Sequence, residues 1–172
     1  MAKNQRSARL STFNNSKDPF DEVNVNILAE LLAEPRLATS ELARRVGMSA
    51  PAVKERVQHL EAVGVIVGYR TEVDPGRLGF PVTAFVRIRP VPGALPRIAQ
   101  LAAELSSVSE CYRITGEDCF IAKVHAPSIE ELETSLDRFL AYGNTTTSIV
   151  VSTPVAPRPL PLPAPAKAES RD

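Results

Sequence analysis

The chain has 172 residues, 44% of them hydrophobic, and its 20 basic side chains are matched by 20 acidic ones. That content supports a packed core, the length allows one domain or two small ones, and no apolar run approaches the roughly 18 residues that span a bilayer. Its Cys and His residues (Cys111, Cys119, His59 and His125) fit neither a disulfide framework nor a zinc spacing, and the N-terminal stretch has no secretory core, so the expectation is a reducing cytoplasm, no metal and no cofactor.

The neutral total conceals a segregation of charge. Residues 1–17 carry Lys3, Arg6, Arg9 and Lys17 and no acid; residues 18–34 carry Asp18, Asp21, Glu22, Glu30 and Glu34 and no base. Residues 35–59 carry Arg36, Arg44, Arg45, Lys54 and Arg56 against Glu41 and Glu55. Overall neutrality argues against a binder that coats any phosphate backbone, while a local basic face remains open. Charge alone fits solvated helix faces equally well.

In chain order, residues 1–19 read as a flexible basic arm. From Phe20 to Glu34, Val23, Ile27, Leu28, Leu31 and Leu32 recur with helical spacing behind an Asp21 cap, and Pro35 ends the run. A shorter helix is expected from Ser40 to Val46, burying Leu42, Ala43 and Val46, with Gly47 supplying the turn after it. Ser49 caps a third helix with Pro51 in its first turn; Val53, Val57 and Leu60 form its buried stripe, and Gly64 stops it. Residues 65–79, β-branched up to Val73 and then turning at Asp74–Gly76, read as a β-ribbon and hinge. Helix, short helix, Gly turn, helix and ribbon is the plan of a winged helix-turn-helix, with residues 20–64 as its helical part. Burying one stripe of each helix leaves the far face of the third exposed, with Ser49, Ala50, Lys54, Glu55 and Gln58 on it.

Residues 80–154 read as a second domain. Pro81–Arg89 is a strand, residues 93–106 a helix burying Leu95, Ile98, Leu101, Ala102 and Leu105, and residues 108–115 and 118–126 two strands about a short turn at Gly116 and Glu117. Ser128 and Glu131 form a capping box before a helix with Leu132, Leu136, Phe139 and Leu140 inside, and a Thr-rich strand starts at Thr145. The order β-α-β-β-α-β is the ferredoxin-like arrangement, so the fold class is α+β. Residues 155–172 read as a disordered tail, dispensable for folding, because six Pro fall between Pro154 and Asp172.

Three segments at these separations carry a family resemblance. Residues 27–79 contain the signature R-V-x-x-L-E-x-x-G-V-I at Arg56–Ile66; ITGEDCF at 114–120 is similar to a T-G-x-x-D motif; and TTTSIVVSTPV closes the match at Val155. Together they resemble the Lrp/AsnC, or feast/famine, transcriptional regulators over nearly four-fifths of the chain. Residues 142–150 are also similar to actinobacterial members controlling amino-acid catabolism, an alanine dehydrogenase regulator among them. Two positions depart from the family pattern. Asn24 stands where a second acid is usual in the first helix, and Ala38 where a Ser or Thr cap is usual, so that Thr39 is expected to cap instead.

The resemblance implies a sequence-specific regulator of amino-acid metabolism that binds double-stranded DNA and responds to a small amino acid, with a ligand-binding and oligomerisation domain at 80–154 of the RAM/ACT-like type. It places Ser49, Ala50, Pro51, Lys54, Glu55 and Gln58 of the third helix at the DNA, with Arg44, Arg45 and Lys17 reaching phosphate. Arg56 is open between DNA and a structural pair with Glu61 or Glu22. The effector is expected at Ile114, Thr115, Gly116, Glu117 and Asp118, where turn N–H groups and a carboxylate meet an amino acid's two charges, with hydroxyls from Thr145, Thr146 and Thr147. The other reading of this turn is a plain hairpin connection with Gly116 at positive φ. Homodimers, and octamers built from them, follow from the family, with Phe85, Val86, Ile88, Ile121, Val124, Ile149 and Val151 supplying apolar strand residues for sheet-to-sheet contact. An amino-acid sensor without DNA binding and an architectural DNA binder without an effector response are the alternatives. Catalysis is not expected, because no phosphate-binding Gly loop or paired-carboxylate motif is present.

Overall fold

The computed structural model describes residues 18–165, so the basic arm up to Lys17 and the end of the tail lie outside the described residues. The chain forms two compact units. Of the described residues, 18–70 and 157–165 form the first, and Thr71–Ala156 form the second.

The first unit is built from three helices, α1 (Glu22–Ala33), α2 (Thr39–Arg45) and α3 (Ala50–Ala62). Asp21 caps α1 by accepting from the Asn24 N–H at 2.7 Å, and Ser49 caps α3 by accepting from the Ala52 N–H at 3.4 Å, as the sequence predicts. At α2 the expectation is corrected. Ala38 takes the cap position with no side-chain bond, and Thr39 is already the first helical residue. Gly47, at φ 68°, turns the chain after α2 and lets Met48 donate back to the Ala43 carbonyl at 2.9 Å. The core consists of Ile27, Leu28, Leu42, Ala43, Val53 and Leu60.

No strand forms over 65–79 among the described residues, so the predicted ribbon is absent. Val67, Tyr69 and Val73 are exposed there. β-branched content gives strand propensity, but a ladder needs a partner, and none is paired with this segment. The described tail, 155–165, carries neither helix nor strand. Leu162 nevertheless packs, half-buried, against the first unit's core.

The second unit runs β1 (Val82–Pro90), α4 (Leu95–Glu104), β2 (Val108–Arg113), β3 (Phe120–Ala126), α5 (Ile129–Leu140) and β4 (Gly143–Ile149). The strands form an antiparallel sheet in the order β2-β3-β1-β4, the expected ferredoxin-like arrangement. Ser128 caps α5 by accepting from the Glu131 N–H at 3.2 Å. Both helices cover one face, where Ala84, Val86, Ile88, Phe120, Ala122 and Val124 meet Ile98, Leu101, Leu132 and Phe139.

Strand alternation then fixes what the other face carries. Phe85, Arg87 and Arg89 from β1 stand beside Ile121, Lys123 and His125 from β3 and Asn144, Thr146 and Ser148 from β4. This corrects the apolar set expected for sheet-to-sheet contact. Val86, Ile88 and Val124 are consumed by the unit's own helices. Ile149 pairs with Ala84 and so points to the helix side, and Val151 lies beyond β4.

Candidate nucleic-acid interface and ligand turn

In the first unit, α3 is held through its Val53 and Leu60 side, and Ser49, Pro51, Lys54, Glu55 and Gln58 are exposed along the opposite side. These are the residue types that reach phosphates and base edges from a helix in a major groove. Lys54 and Gln58 also border an open hollow of about 410 Å³ lined by Leu31, Leu37, Val57 and Tyr69 among others. At its rim the Tyr69 hydroxyl donates to Glu61 at 3.0 Å, and burial, followed by that carboxylate, raises the phenol's pKa.

Three other residues expected at DNA are placed differently. Ala50 packs against the core instead of facing out. Arg56 points into the helices: its Nη1 donates to Asp21 at 2.7 Å and to the Asn24 side-chain oxygen at 2.9 Å, with only 11% of its side chain exposed. The structural alternative therefore holds, but with Asp21 and Asn24 as partners where Glu61 or Glu22 was expected. Arg45 is gripped by three carboxylates, donating to Glu30 at 2.9 Å, Glu34 at 2.8 Å and Glu41 at 3.1 Å. A guanidinium with this many acceptors has little left for phosphate, so Arg45 serves as a clamp between α1 and α2.

Arg44 remains well exposed but is bound bidentately by Glu41, at 2.6 and 2.8 Å. The hydrogen bonds from Arg44 and then Arg45 hold the Glu41 carboxyl down at about 2. Lys17 lies outside the described residues.

In the second unit the connection between β2 and β3 is longer than expected, covering residues 114–119, and is closed by the Ile114 N–H donating to the Cys119 carbonyl at 3.0 Å. Gly116 sits at φ 108°, which an L side chain rarely adopts. Thr115, Gly116 and Glu117 are exposed. By strict T-G-x-x-D spacing the motif's acid position falls on Cys119, and the acid itself is one residue earlier at Asp118. The geometry separates their roles. Cys119 packs toward the core, while Asp118 approaches two arginines of β1.

Those arginines are residues of the candidate site that sequence reasoning missed. Arg89 donates to Glu117 at 2.5 Å, its Nε lies 3.5 Å from Asp118, and the Arg87 Nε lies 3.8 Å from the other Asp118 oxygen. The signal was present as alternating Arg in V-R-I-R, but only the pairing register reveals that it faces the turn. The register also divides the threonines. Thr146 pairs with Arg87 on the arginine face, while Thr145 and Thr147 pair with Ile88 and Val86 and point to the other side. The turn thus gathers Asp118 and Glu117 with Arg87 and Arg89; Thr146 stands beside Arg87 on the same face, and Thr145 and Thr147 point to the other.

Comparison with known proteins gives matches in both units. A family model described as the AsnC-type helix-turn-helix domain matches residues 20–61, and one described as the Lrp/AsnC ligand binding domain matches residues 83–160. The HTH-type transcriptional regulator LrpC of Bacillus subtilis is 35% identical over 133 residues, covering 77% of this chain and 92% of the relative. The solved structure of that regulator superposes with a TM-score of 0.73 at 34% identity, over 77% of this chain and 95% of its own. The feast or famine regulatory protein of Mycobacterium tuberculosis complexed with L-methionine matches at 31% identity with a TM-score of 0.74, over 84% of this chain and 99% of that one.

Proposed function

The chain belongs to the Lrp/AsnC family of transcriptional regulators, and from that premise we propose that it binds specific DNA sequences through α3 and releases or tightens on them when a small amino acid occupies the turn at 114–118. The observation that carries this reading is the presence in one chain of an exposed helix-turn-helix face and a charged turn able to meet both ends of an amino acid. A relative of 31% identity is a complex with L-methionine, which supports the ligand class.

In this reading α3 enters the major groove with Ser49 and Pro51 leading, Gln58 at a base edge and Lys54 at phosphate. Glu55 accepts from cytosine or repels a wrong site. One such helix reads few bases, so two copies act together, their recognition helices roughly 34 Å apart or a multiple of it. Two copies pair through the second unit, and octamers assemble from dimers. Among the described residues no helix is long and apolar enough to cross a membrane. From its family we infer that the protein acts in the cytoplasm as a regulator and not as an enzyme.

The test is fluorescence anisotropy of the full chain on the DNA upstream of its own gene, against a scrambled duplex, at two salt concentrations, with each protein-forming amino acid in turn. Preferential binding shifted by one amino acid is expected. Equal binding to both duplexes rejects the sequence-specific reading, and specific binding that no amino acid shifts rejects the effector.

A further inference from the structure

We propose that Arg87 and Arg89 are the carboxylate receptor of the effector site, and that in the unliganded chain Glu117 and Asp118 stand in for the ligand's own carboxylate. This inference rests on the turn at 114–118 being that site, and it adds which atoms choose the ligand.

Arg87 and Arg89 are alternate residues of β1, so their side chains leave the same uncovered face of the sheet. Two cations so close repel unless anions lie between or beside them. The turn supplies those anions, but it does so incompletely. Of the three approaches, only Arg89 to Glu117, at 2.5 Å, is a hydrogen bond; the distances of 3.5 and 3.8 Å to Asp118 are within reach of Coulomb attraction and beyond good hydrogen-bond geometry. Both guanidiniums are half exposed and retain most of their N–H donors. Thr146 and Asn144 of β4, paired with Arg87 and Arg89, add a hydroxyl and an amide on the same face.

The cluster therefore holds two positive and two negative groups in a loose square. A zwitterion fits it by exchange. Its carboxylate takes the arginines from Glu117 and Asp118, and its ammonium takes the carboxylates thereby released, so every charge keeps a partner. A bare amine or a bare acid fills only one half. By contrast, the Arg45 clamp closes all three of its pairs with hydrogen bonds and offers no exchange of this kind. Exposed pairs like those at the turn contribute little to folding, so their removal tests recognition more than stability.

Calorimetric titration of the full chain with each protein-forming amino acid identifies the tightest binder, and its decarboxylated amine and deaminated acid are then titrated. The wild type is expected to prefer the amino acid over either analogue by about tenfold or more, the value of one charge-assisted hydrogen bond pair. In Arg87→Gln/Arg89→Gln the ranking of amino acid and amine should invert, because the ligand's carboxylate then meets Glu117 and Asp118 with no cation. Asp118→Asn should narrow the preference over the deaminated acid. The single variant Arg87→Gln, with its unfolding profile measured alongside, gives a partial shift in the same direction should the double variant fold poorly. A wild-type ratio preserved in the arginine variants, or an equal loss for amino acid and amine, overturns the assignment while leaving the effector turn in place. If no amino acid binds the wild type, the effector reading itself falls.

Discussion

Asp21 performs two tasks that are separable by mutation. Its carboxylate caps α1 at the Asn24 N–H, 2.7 Å away, and pairs with Arg56 at 2.7 Å, where the arginine and aspartate side chains are 11% and 25% exposed. Asp21→Ser retains a capping oxygen and removes the charge, leaving Arg56 with the Asn24 oxygen alone; the Arg56 Nε is already buried without a partner. Breaking a fully buried pair by removing one member costs about 3–5 kcal/mol and an exposed pair about 0–1, so this mostly buried pair is worth about 2–3. Asp21→Ala adds the cap, about 1 kcal/mol more. For a small unit, each kcal/mol corresponds to about 4–8 °C in melting temperature. Native-state hydrogen exchange is the suitable assay, since protection of the Val53 and Leu60 amides reports the first unit while β1 and β3 amides serve as an internal reference. Arg56→Met should cost less than Asp21→Ser, because the charge it leaves is the more exposed member of the pair and still accepts the Asn24 N–H, and the double variant should cost clearly less than the two singles together. Strict additivity, or an Asp21→Ser variant within about 0.5 kcal/mol of wild type, would refute a structural role for Arg56 and return it to the DNA.

Three further outcomes follow from the geometry. Burial, helped by Lys123 and opposed by Glu110, lowers the pKa of His125, whose ring bridges Thr83 at 3.0 Å and Ser109 at 3.1 Å. The folded state then resists protonation, so this contribution is complete above the ordinary value of 6.5 and is lost as pH falls through it toward the folded value; the stability difference between wild type and His125→Gln should shrink across that window in urea titrations. Gly143→Ala places a methyl group against the Arg89 carbonyl, where backbone cannot yield, and should cost about 1–3 kcal/mol by the same denaturation while weakening amino-acid binding through Arg89. Leu162→Ser should lower hydrogen-exchange protection of the first unit by about 1 kcal/mol and leave the sheet unchanged, whereas an unaffected first unit would show the tail to be as dispensable as its composition suggests.

Features set by neighbouring residues were legible in the sequence. Asp21, Ser49 and Ser128 announce their helices because a cap acts over three residues, and the alternation in β1 and β3 announces half-buried strands. Features set by pairing between distant segments were not. Val65–Val73 has strand composition, yet composition does not supply the partner that makes a ladder. Thr145, Thr146 and Thr147 are indistinguishable as a string, and a register one residue different would exchange their faces. The partners of Arg56, Asp21 and Asn24, lie more than thirty residues upstream on either side of Glu22, and only the packing of α1 against α3 selects them over Glu22 or the helix-local Glu61.

The same distinction governs how charge should be counted on the DNA side. By sequence, residues 35–59 look like a basic patch of five cations against two acids. In the fold, Arg45 is neutralised by acids from α1 and α2 together and Arg56 by the α1 cap, so neither adds to an outward field. Among the described residues, the cations left to attract phosphate in the proposed function are Lys54, Arg36, and Arg44 if it gives up Glu41. Among the described residues this face offers few free cations, so in the proposed function its discrimination is assigned to Gln58, Glu55 and the paired reading of two half-sites. Its sequence preference should therefore survive higher salt better than its total affinity, because added salt reduces the gain from counterion release for specific and nonspecific binding alike, while base-edge contacts are little screened.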